Sequence, residues 1–142
     1  MKKLAFLVLT TLVVSCGNAT QSNADNQTEA TPQTQQITKN VSVQEFNQLM
    51  KEKPKAQILD VRSAEEFRTG YIAGAVNINV MESGFEQTIA KLDKNKPVLV
   101  YCAAGGRSAK AMSILYKNGF TEVYNMNGGM GAWNAAGLPI TK

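Results

Sequence analysis

The residue best placed to do covalent chemistry in this chain is Cys102. A short run of apolar or β-prone residues, 98–101, leads into it, and four very small residues separate it from Arg107. Such a run predicts a buried strand, and residues 108–118 predict a helix. Glycine lets the connecting backbone curl tightly, and successive N–H groups in such a curl bind anions. The spacing therefore predicts a loop that surrounds the Cys102 sulfur with N–H donors.

This environment predicts a Cys102 thiol that is ionised near neutral pH. N–H donors and the positive end of a helix dipole lower a cysteine pKa from its usual value of about 8.5. A buried structural cysteine is the alternative, since free cysteines are often buried. That role does not require a loop of small residues and an arginine. We therefore expect a nucleophilic sulfur, held by the loop residues Ala103, Ala104, Gly105, Gly106, Arg107 and Ser108.

Residues 101–108 resemble the active-site loop of the rhodanese-like domains, in which four residues separate the cysteine from an arginine at a helix start. A related group, the cell-cycle control phosphatases and similar arsenate reductases, places five residues there. The longer loop admits a tetrahedral oxyanion, whereas only four residues lie between Cys102 and Arg107. The resemblance therefore favours sulfur over phosphate. A cysteine phosphatase or arsenate reductase is the less favoured alternative.

Two further stretches carry the same resemblance. Residues 59–78 resemble the rhodanese segment that usually contains Asp-Val-Arg, Glu-Glu-Phe and Gly-His-Ile-Pro-Gly-Ala, and residues 128–139 resemble its closing motif. Two departures lie in a turn rather than in the loop: Tyr71 replaces the usual histidine and Ala73 the usual proline. The chain contains no histidine, so a cysteine–histidine catalytic pair cannot operate.

The resemblance implies a rhodanese-type sulfurtransferase with Cys102 as the catalytic residue. The Cys102 thiolate would take the outer sulfur of a donor such as thiosulfate and become a persulfide. Cyanide or a thiol acceptor would then remove that sulfur, and no cofactor or metal is implied. A non-enzymatic sulfur carrier or protein-binding module is the alternative from another class. The presence of Cys102 favours the enzyme.

Asp60, Arg62 and Glu66 are predicted to support the loop. Arg107 has two open roles, because it could attract an anionic donor or pair with a carboxylate such as Asp60 or Glu66. Pairing is slightly favoured, since a side chain that leaves at a helix start can point away from the loop. Asp60 and Arg62 are predicted to pair at a strand end and shape the rim.

Four other residues have simpler interpretations. The large side chains Trp133, Met126 and Met130 are predicted to lie in the core rather than to line a substrate site. Lys110, one helical turn beyond the loop, either adds to the field that attracts anions or is solvated surface.

The elements that position Cys102 alternate between strands and helices. Strands are predicted at 37–41, 56–61, 75–78, 97–101 and 122–125. Helices are predicted to follow Ser42 and Ser63, to cover 108–118 and to begin at Gly128. A further helix is predicted from residue 82 or 83 to 92, with Phe85, Ile89 and Leu92 facing inward. This alternation predicts an α/β fold, and the resemblance makes it a three-layer α/β/α rhodanese-like domain with a central parallel sheet of about five strands. Ligands of such sheets bind beyond the carboxyl ends of the strands, where Cys102 lies. The sequences Ser42–Glu45 and Ser63–Glu66 predict capping boxes.

The predicted domain covers residues 37–142, and a processing segment precedes it. Lys2 and Lys3, an apolar run at 4–14 and the sequence Val-Val-Ser-Cys-Gly ending at residue 17 resemble a bacterial lipoprotein signal peptide at 1–15. Cys16 would then be lipidated, for example with palmitate, and the polar residues 16–36 would form a disordered tether. An ordinary signal peptide with a chance cysteine is the alternative. We expect an exported, membrane-anchored lipoprotein on the periplasmic or cell-surface side of a bacterial envelope.

Charge and cysteine content limit the partners. Cleavage before Cys16 removes Lys2 and Lys3 and lowers the formal net charge from +4 to +2. No long basic block remains, so nucleic acid is not expected as a partner. The expected partners are a small anionic sulfur donor, a thiol or cyanide acceptor, and the membrane through the N-terminal lipid. With Cys16 acylated, Cys102 has no intramolecular disulfide partner.

Overall fold

A computed structural model describes residues 35–142, in which five strands alternate with five helices. The predictions for the signal peptide, for Cys16 and for most of the tether lie outside the described residues. Within 35–142, no helix is long and apolar enough to cross a membrane. The elements are β1 Ile37–Val41, α1 Val43–Glu52, β2 Gln57–Asp60, α2 Ala64–Thr69, β3 Ala75–Asn77, α3 Phe85–Ile89, β4 Val98–Tyr101, α4 Gly106–Lys117, β5 Glu122–Met126 and α5 Gly129–Ala135.

The five strands form one parallel sheet in the order β1-β5-β4-β2-β3. This confirms the predicted α/β class and the parallel sheet. β4 is the central strand, and all four of its residues are buried. In the register between β2 and β4, Asp60 pairs with Tyr101. The ends of these two strands therefore lie side by side, immediately before Cys102.

Side chains on the two faces of the sheet enter two separate apolar clusters. Val98 and Val100 of β4 contribute to one cluster, which also contains Cys102 and residues from α3 and α4. Leu99 and Tyr101 contribute to the other, which contains residues of α1 and α5. The alternation follows from the two-residue repeat of a strand. Trp133, Met126 and Met130 lie in the second cluster and are at most 5% exposed, as predicted.

One of the two predicted capping boxes is complete. Before α2, the Glu66 N–H donates to Ser63 Oγ and the Ser63 N–H donates to Glu66 Oε2, both at 3.2 Å. Before α1, the Glu45 N–H donates to Ser42 Oγ, but the Glu45 carboxylate binds Lys39 Nζ at 2.6 Å instead. The capping-box prediction for Ser42–Glu45 was therefore half wrong, because only the hydrogen bond to Ser42 Oγ forms. A lysine on the preceding strand offers the carboxylate a charged donor.

The least accurate helix prediction concerns α3, which was expected to extend over 82–92 and covers only Phe85–Ile89. Its N-cap is Gly84, which has no side chain to accept a hydrogen bond. Upstream, Asn79 Oδ1 accepts from the Met81 N–H and holds residues 79–82 in a turn. Phe85 and Ile89 nevertheless face the core as predicted.

Tyr71, which departs from the rhodanese pattern, helps to anchor the C-terminal tail. Its backbone N–H and C=O exchange hydrogen bonds with Thr141 at 2.9 and 2.8 Å. Its ring stacks on Phe67 with 4.1 Å between ring centroids. The departure is therefore accommodated by packing at a turn.

Candidate active site

The Cys102 side chain lies at the carboxyl end of the central strand and is 1% exposed. The loop after it turns sharply at Gly105, whose φ of 101° is in the left-handed region that favours glycine. α4 begins at the next residue, Gly106, two residues earlier than predicted. The strand and the helix therefore hold the sulfur between them, and a tight turn encloses it.

Two hydrogen-bond donors contact the sulfur directly. The Gly105 N–H donates to Cys102 Sγ at 3.0 Å, and the Ser108 hydroxyl lies 3.3 Å from Sγ. The same hydroxyl lies 3.1 Å from the Gly105 carbonyl oxygen. Because a hydroxyl has one proton, it can donate to only one of these acceptors at a time. An ionised sulfur is the stronger acceptor, so the pocket favours the thiolate.

Opposing effects determine the pKa of Cys102. Burial by itself raises the pKa, because it penalises the charged form. The Ser108 hydroxyl and the N–H groups of Ser108, Ala104 and Gly105 stabilise the thiolate, and together they leave the pKa lowered. Three of the amides in the predicted loop therefore act on the sulfur.

Arg107 points to a carboxylate on a neighbouring helix. Its Nη1 and Nη2 atoms donate to Glu66 Oε2 and Oε1, each at 2.7 Å. The hydrogen bonds from Arg107 are the main reason that the pKa of Glu66 is lowered to about 2. Of the two carboxylates that sequence reasoning offered to Arg107, the structure pairs it with Glu66. Glu66 thus caps α2 and also ties α2 to the start of α4.

Asp60 pairs with Arg62 instead, as the strand-end interpretation expected. Arg62 Nε lies 2.9 Å from Asp60 Oδ1, and Nη2 lies 2.6 Å from Oδ2. Nη2 also donates to the Gly70 carbonyl oxygen at 2.8 Å. Both side chains are almost completely buried. The pair therefore joins the end of β2 to the turn that follows α2, next to the strand that carries Cys102.

Comparisons with known proteins show the family of this chain. A family model described as "Rhodanese-like domain" matches residues 42–136. The chain belongs to the rhodanese-like domain family. It is 40% identical over 99 residues to YqhL of Bacillus subtilis, across 70% of this chain and 75% of that protein. It is 36% identical over 98 residues to thiosulfate sulfurtransferase GlpE of Shewanella oneidensis, across 69% of this chain and 94% of that protein.

A solved structure shares the fold. The crystal structure of a rhodanese-like domain protein from Staphylococcus aureus is similar with a TM-score of 0.62 and 35% sequence identity. The match covers 73% of this chain and 99% of that one. Together with the thiosulfate sulfurtransferases among its relatives, the comparison places this rhodanese-like chain in a sulfurtransferase family.

Sequence reasoning missed the support that α5 gives to the rhodanese-like loop. The N–H of Met130 donates to the Cys102 carbonyl at 2.8 Å, and that of Gly131 donates to the Ala103 carbonyl at 3.0 Å. Gly129 is required by this close approach, because a Cβ there would lie 2.2 Å from the Cys102 carbonyl oxygen, at a φ of 51°. Because these carbonyl groups accept hydrogen bonds from α5, the loop can direct its N–H groups towards the sulfur. The two adjacent glycines at 128–129 were the sequence feature that could have indicated this close approach.

Lys110 lies outside this hydrogen-bonded site. It is exposed and lines a groove beside α4, together with Ile114 and residues 80–83, 85 and 86. In the part of the chain that the structure describes, its side chain forms no ion pair. No group of three or more His, Cys, Asp or Glu side chains within 35–142 is arranged to hold a metal ion.

Proposed function

We propose that this protein is a sulfurtransferase that carries sulfane sulfur as a persulfide on Cys102. The observation that supports this most directly is the hydrogen bonding of Cys102 Sγ to the Gly105 N–H and the Ser108 hydroxyl. These donors lower the pKa of the thiol without a neighbouring general base. They also provide a site for the negative charge of a persulfide.

In the first step, the Cys102 thiolate attacks the outer sulfur of a donor such as thiosulfate. A bond forms between Sγ and this sulfur, the sulfur–sulfur bond of thiosulfate breaks, and sulfite leaves with the electron pair. In the second step, cyanide or a thiolate attacks the outer sulfur of the Cys102 persulfide. The bond between Sγ and the outer sulfur breaks, cyanide leaves as thiocyanate or the thiolate leaves as its own persulfide, and the electron pair stays on Sγ to restore the Cys102 thiolate.

The test uses the two cysteines of the chain as a matched pair. Wild type and Cys16→Ser are expected to form thiocyanate from thiosulfate and cyanide, whereas Cys102→Ser is expected to give only the blank rate. Intact mass should show one added sulfur after thiosulfate treatment, and only where Cys102 is present. Turnover by Cys102→Ser, or no added sulfur on the wild type, would contradict the proposal. A wild type that forms no thiocyanate but binds a partner protein would instead support the non-enzymatic module. Hydrolysis of a phosphate ester or reduction of arsenate would support the phosphatase or arsenate reductase alternative.

The role of Ser108 gives an independent test of the thiolate. Ser108→Ala removes the hydroxyl that stabilises the charged sulfur, so the pKa of Cys102 should rise. Thiolate absorbance measured against pH in the Cys16→Ser background reports this directly. Ser113→Ala, an exposed serine on the same helix, is the control and should leave the titration unchanged. An unchanged titration in Ser108→Ala would show that the hydroxyl does not act on the sulfur.

For the N-terminal segment we propose export and lipidation at Cys16, which would anchor the domain to a membrane. The support is the order of two lysines, an apolar run and a cysteine followed by glycine. Mass analysis of protein isolated from a bacterial membrane should show lipid on residue 16 and no residues before it. Cys16→Ser should release the protein from the membrane, and retention of that variant would contradict the anchor.

A further inference from the structure

The chain contains two Asn-Gly sequences, and their surroundings differ. They are Asn118–Gly119, at the end of α4, and Asn127–Gly128, between β5 and α5. In an Asn-Gly sequence the glycine nitrogen can attack the asparagine side-chain amide, because glycine has no side chain to obstruct the approach. The reaction forms a cyclic imide and releases ammonia. Each sequence is therefore a candidate for deamidation, and its local structure determines how readily it reacts.

Asn118 and Gly119 are both held by hydrogen bonds. Asn118 Nδ2 donates to the Ile114 carbonyl oxygen at 2.9 Å. The Gly119 N–H donates to the Tyr116 carbonyl oxygen at 3.0 Å. These bonds engage both the nitrogen that would leave and the nitrogen that would attack. Ring closure at this site therefore requires that both hydrogen bonds break.

Asn127 and Gly128 have no such restraint within residues 35–142. The Asn127 side chain is exposed, and in that part of the chain neither its amide nor the Gly128 N–H donates a hydrogen bond. The Asn127 backbone N–H donates to the Val41 carbonyl oxygen at 2.9 Å, but this group takes no part in ring closure. Asn127 also lines an open groove of about 480 Å³ between α1 and α5. The groove provides room for the ring and access for water.

The Asn127–Gly128 peptide packs against the loop that encloses the sulfur. A Cβ added to Gly105 would lie 3.2 Å from the Gly128 nitrogen and 3.9 Å from the Asn127 carbonyl carbon. The Gly105 N–H donates to Cys102 Sγ at 3.0 Å. α5 begins directly after Gly128, and its first turn binds the carbonyls of Cys102 and Ala103. A longer backbone at residue 127 would therefore disturb the loop through both contacts.

We propose that Asn127 is a deamidation site and that its conversion to isoaspartate loosens the Cys102 loop. The Gly128 nitrogen attacks Asn127 Cγ, the Cγ–Nδ2 bond breaks, and Nδ2 leaves as ammonia with the proton of the Gly128 N–H. Water then opens the imide at one of its two carbonyls and gives aspartate or isoaspartate. One ammonia leaves and one water is taken up, so no oxidant or reductant is consumed. Isoaspartate adds one methylene to the backbone, which lengthens it by about 1.5 Å.

Peptide mapping by mass spectrometry measures deamidation at the two sites after the folded Cys16→Ser chain is kept at mildly alkaline pH. Asn127 is expected to deamidate at least about tenfold faster than Asn118, since two hydrogen bonds must break at Asn118. The same chain unfolded in urea is the control, and there the two sites should react at similar rates. Equal rates in the folded chain, faster reaction at Asn118, or no reaction at Asn127 would overturn the proposal.

Alkylation of Cys102 by an uncharged reagent, at a pH where its rate no longer varies, measures the effect on the loop. Chain aged until isoaspartate has formed at residue 127 should react about fivefold faster than fresh chain, the effect of losing one hydrogen bond between α5 and the loop. In Asn127→Gln the longer side chain forms an imide slowly, so this variant should keep its fresh rate on ageing. Asn118→Gln is the matched control and should age like the parent chain.

Asn127→Asp separates the added charge from the added methylene. It carries the carboxylate on a backbone of normal length, so fresh protein should be alkylated at the rate of the fresh parent chain. A rise in this variant equal to that of the aged chain, an equal rise on ageing in Asn127→Gln, or no rise in aged chain that contains isoaspartate would overturn the link to the loop. Because alkylation needs no sulfur donor, failure of the transferase proposal would leave these results unaffected.

Discussion

Two arginine–carboxylate pairs flank the cysteine loop, and they differ in their exposure to solvent. Asp60 and Arg62 have side chains that are 0% and 6% exposed, whereas those of Glu66 and Arg107 are 36% and 32% exposed. Both pairs use two arginine nitrogens at hydrogen-bond distance. The same type of ion pair therefore occurs in two environments, one buried and one partly exposed to solvent. We therefore expect the buried pair to be rigid and the site to open more easily at the solvated pair.

The difference matters because the sulfur is almost inaccessible in this structure. Cys102 is 1% exposed, so a donor reaches it only when part of the loop moves. The floor of the loop is fixed, since α5 binds the carbonyls of Cys102 and Ala103. Motion is easier at the outer side, where Arg107 joins α4 to α2 through a solvent-screened pair.

Breaking the buried pair should have the largest effect. Asp60→Asn leaves the Arg62 guanidinium buried without its counter-charge, which should lower the free energy of unfolding by about 3–5 kcal/mol. Urea denaturation measures this. Glu65→Gln, at an exposed carboxylate on α2, is the control and should cost less than about 1 kcal/mol. A loss of similar size in Asp60→Asn and in Glu66→Gln, the matching change in the other pair, would mean that burial does not distinguish the pairs.

Features of the site that depend on neighbouring residues could be predicted from the sequence, whereas contacts between distant residues could not. The parallel sheet, the strand that carries Cys102 and the Ser63–Glu66 capping box follow from local patterns, because strand and cap signals depend on neighbouring residues. The Asp60–Arg62 pair was predictable because its members are two residues apart at a strand end. Local pattern could not choose the partner of Arg107, since Glu66 lies 41 residues away.

Two further features were missed for different reasons. The contact of α5 with the Cys102 carbonyl joins residues far apart in sequence, so no local period indicates it. The apolar spacing of residues 85, 89 and 92 correctly predicted the buried face of α3 but not its ends. Those ends depend on caps, and neither Gly84 nor the Asn79 turn extends the helix.

Breaking the Glu66–Arg107 pair should change the access of reagents to Cys102 more than it changes the free energy of unfolding. Glu66→Gln removes the charge but keeps an oxygen that can cap Ser63, so unfolding should change by about 1 kcal/mol or less. Freed from Glu66, the outer side of the loop should open more often. Alkylation of Cys102 by an uncharged reagent, measured at high pH where the rate no longer varies, should then become faster. The Cys16→Ser background makes Cys102 the reporting thiol.

Alkylation in Glu65→Gln should match the wild type, because Glu65 is exposed and forms no ion pair within residues 35–142. If Glu66→Gln leaves the rate unchanged, motion at Arg107 does not control access. If it greatly lowers stability instead, the exposed pair behaves like the buried one and the distinction fails.

The smallest expected effect is the dependence of stability on acid through Glu66. Its carboxyl pKa is about 2 in the folded protein, below the ordinary value of 4.5, chiefly because Arg107 donates hydrogen bonds to the carboxylate. A depressed pKa means that the unfolded chain takes up the proton first. The stabilisation is therefore complete above pH 4.5 and is lost as the pH falls towards 2. Since the carboxylate is 36% exposed, solvent screening limits this contribution to about 1 kcal/mol or less. Urea denaturation of wild type and Glu66→Gln from pH 6 to pH 2 should show their difference shrinking over this interval. A difference that stays constant would mean that Arg107 does not stabilise the charged form of Glu66.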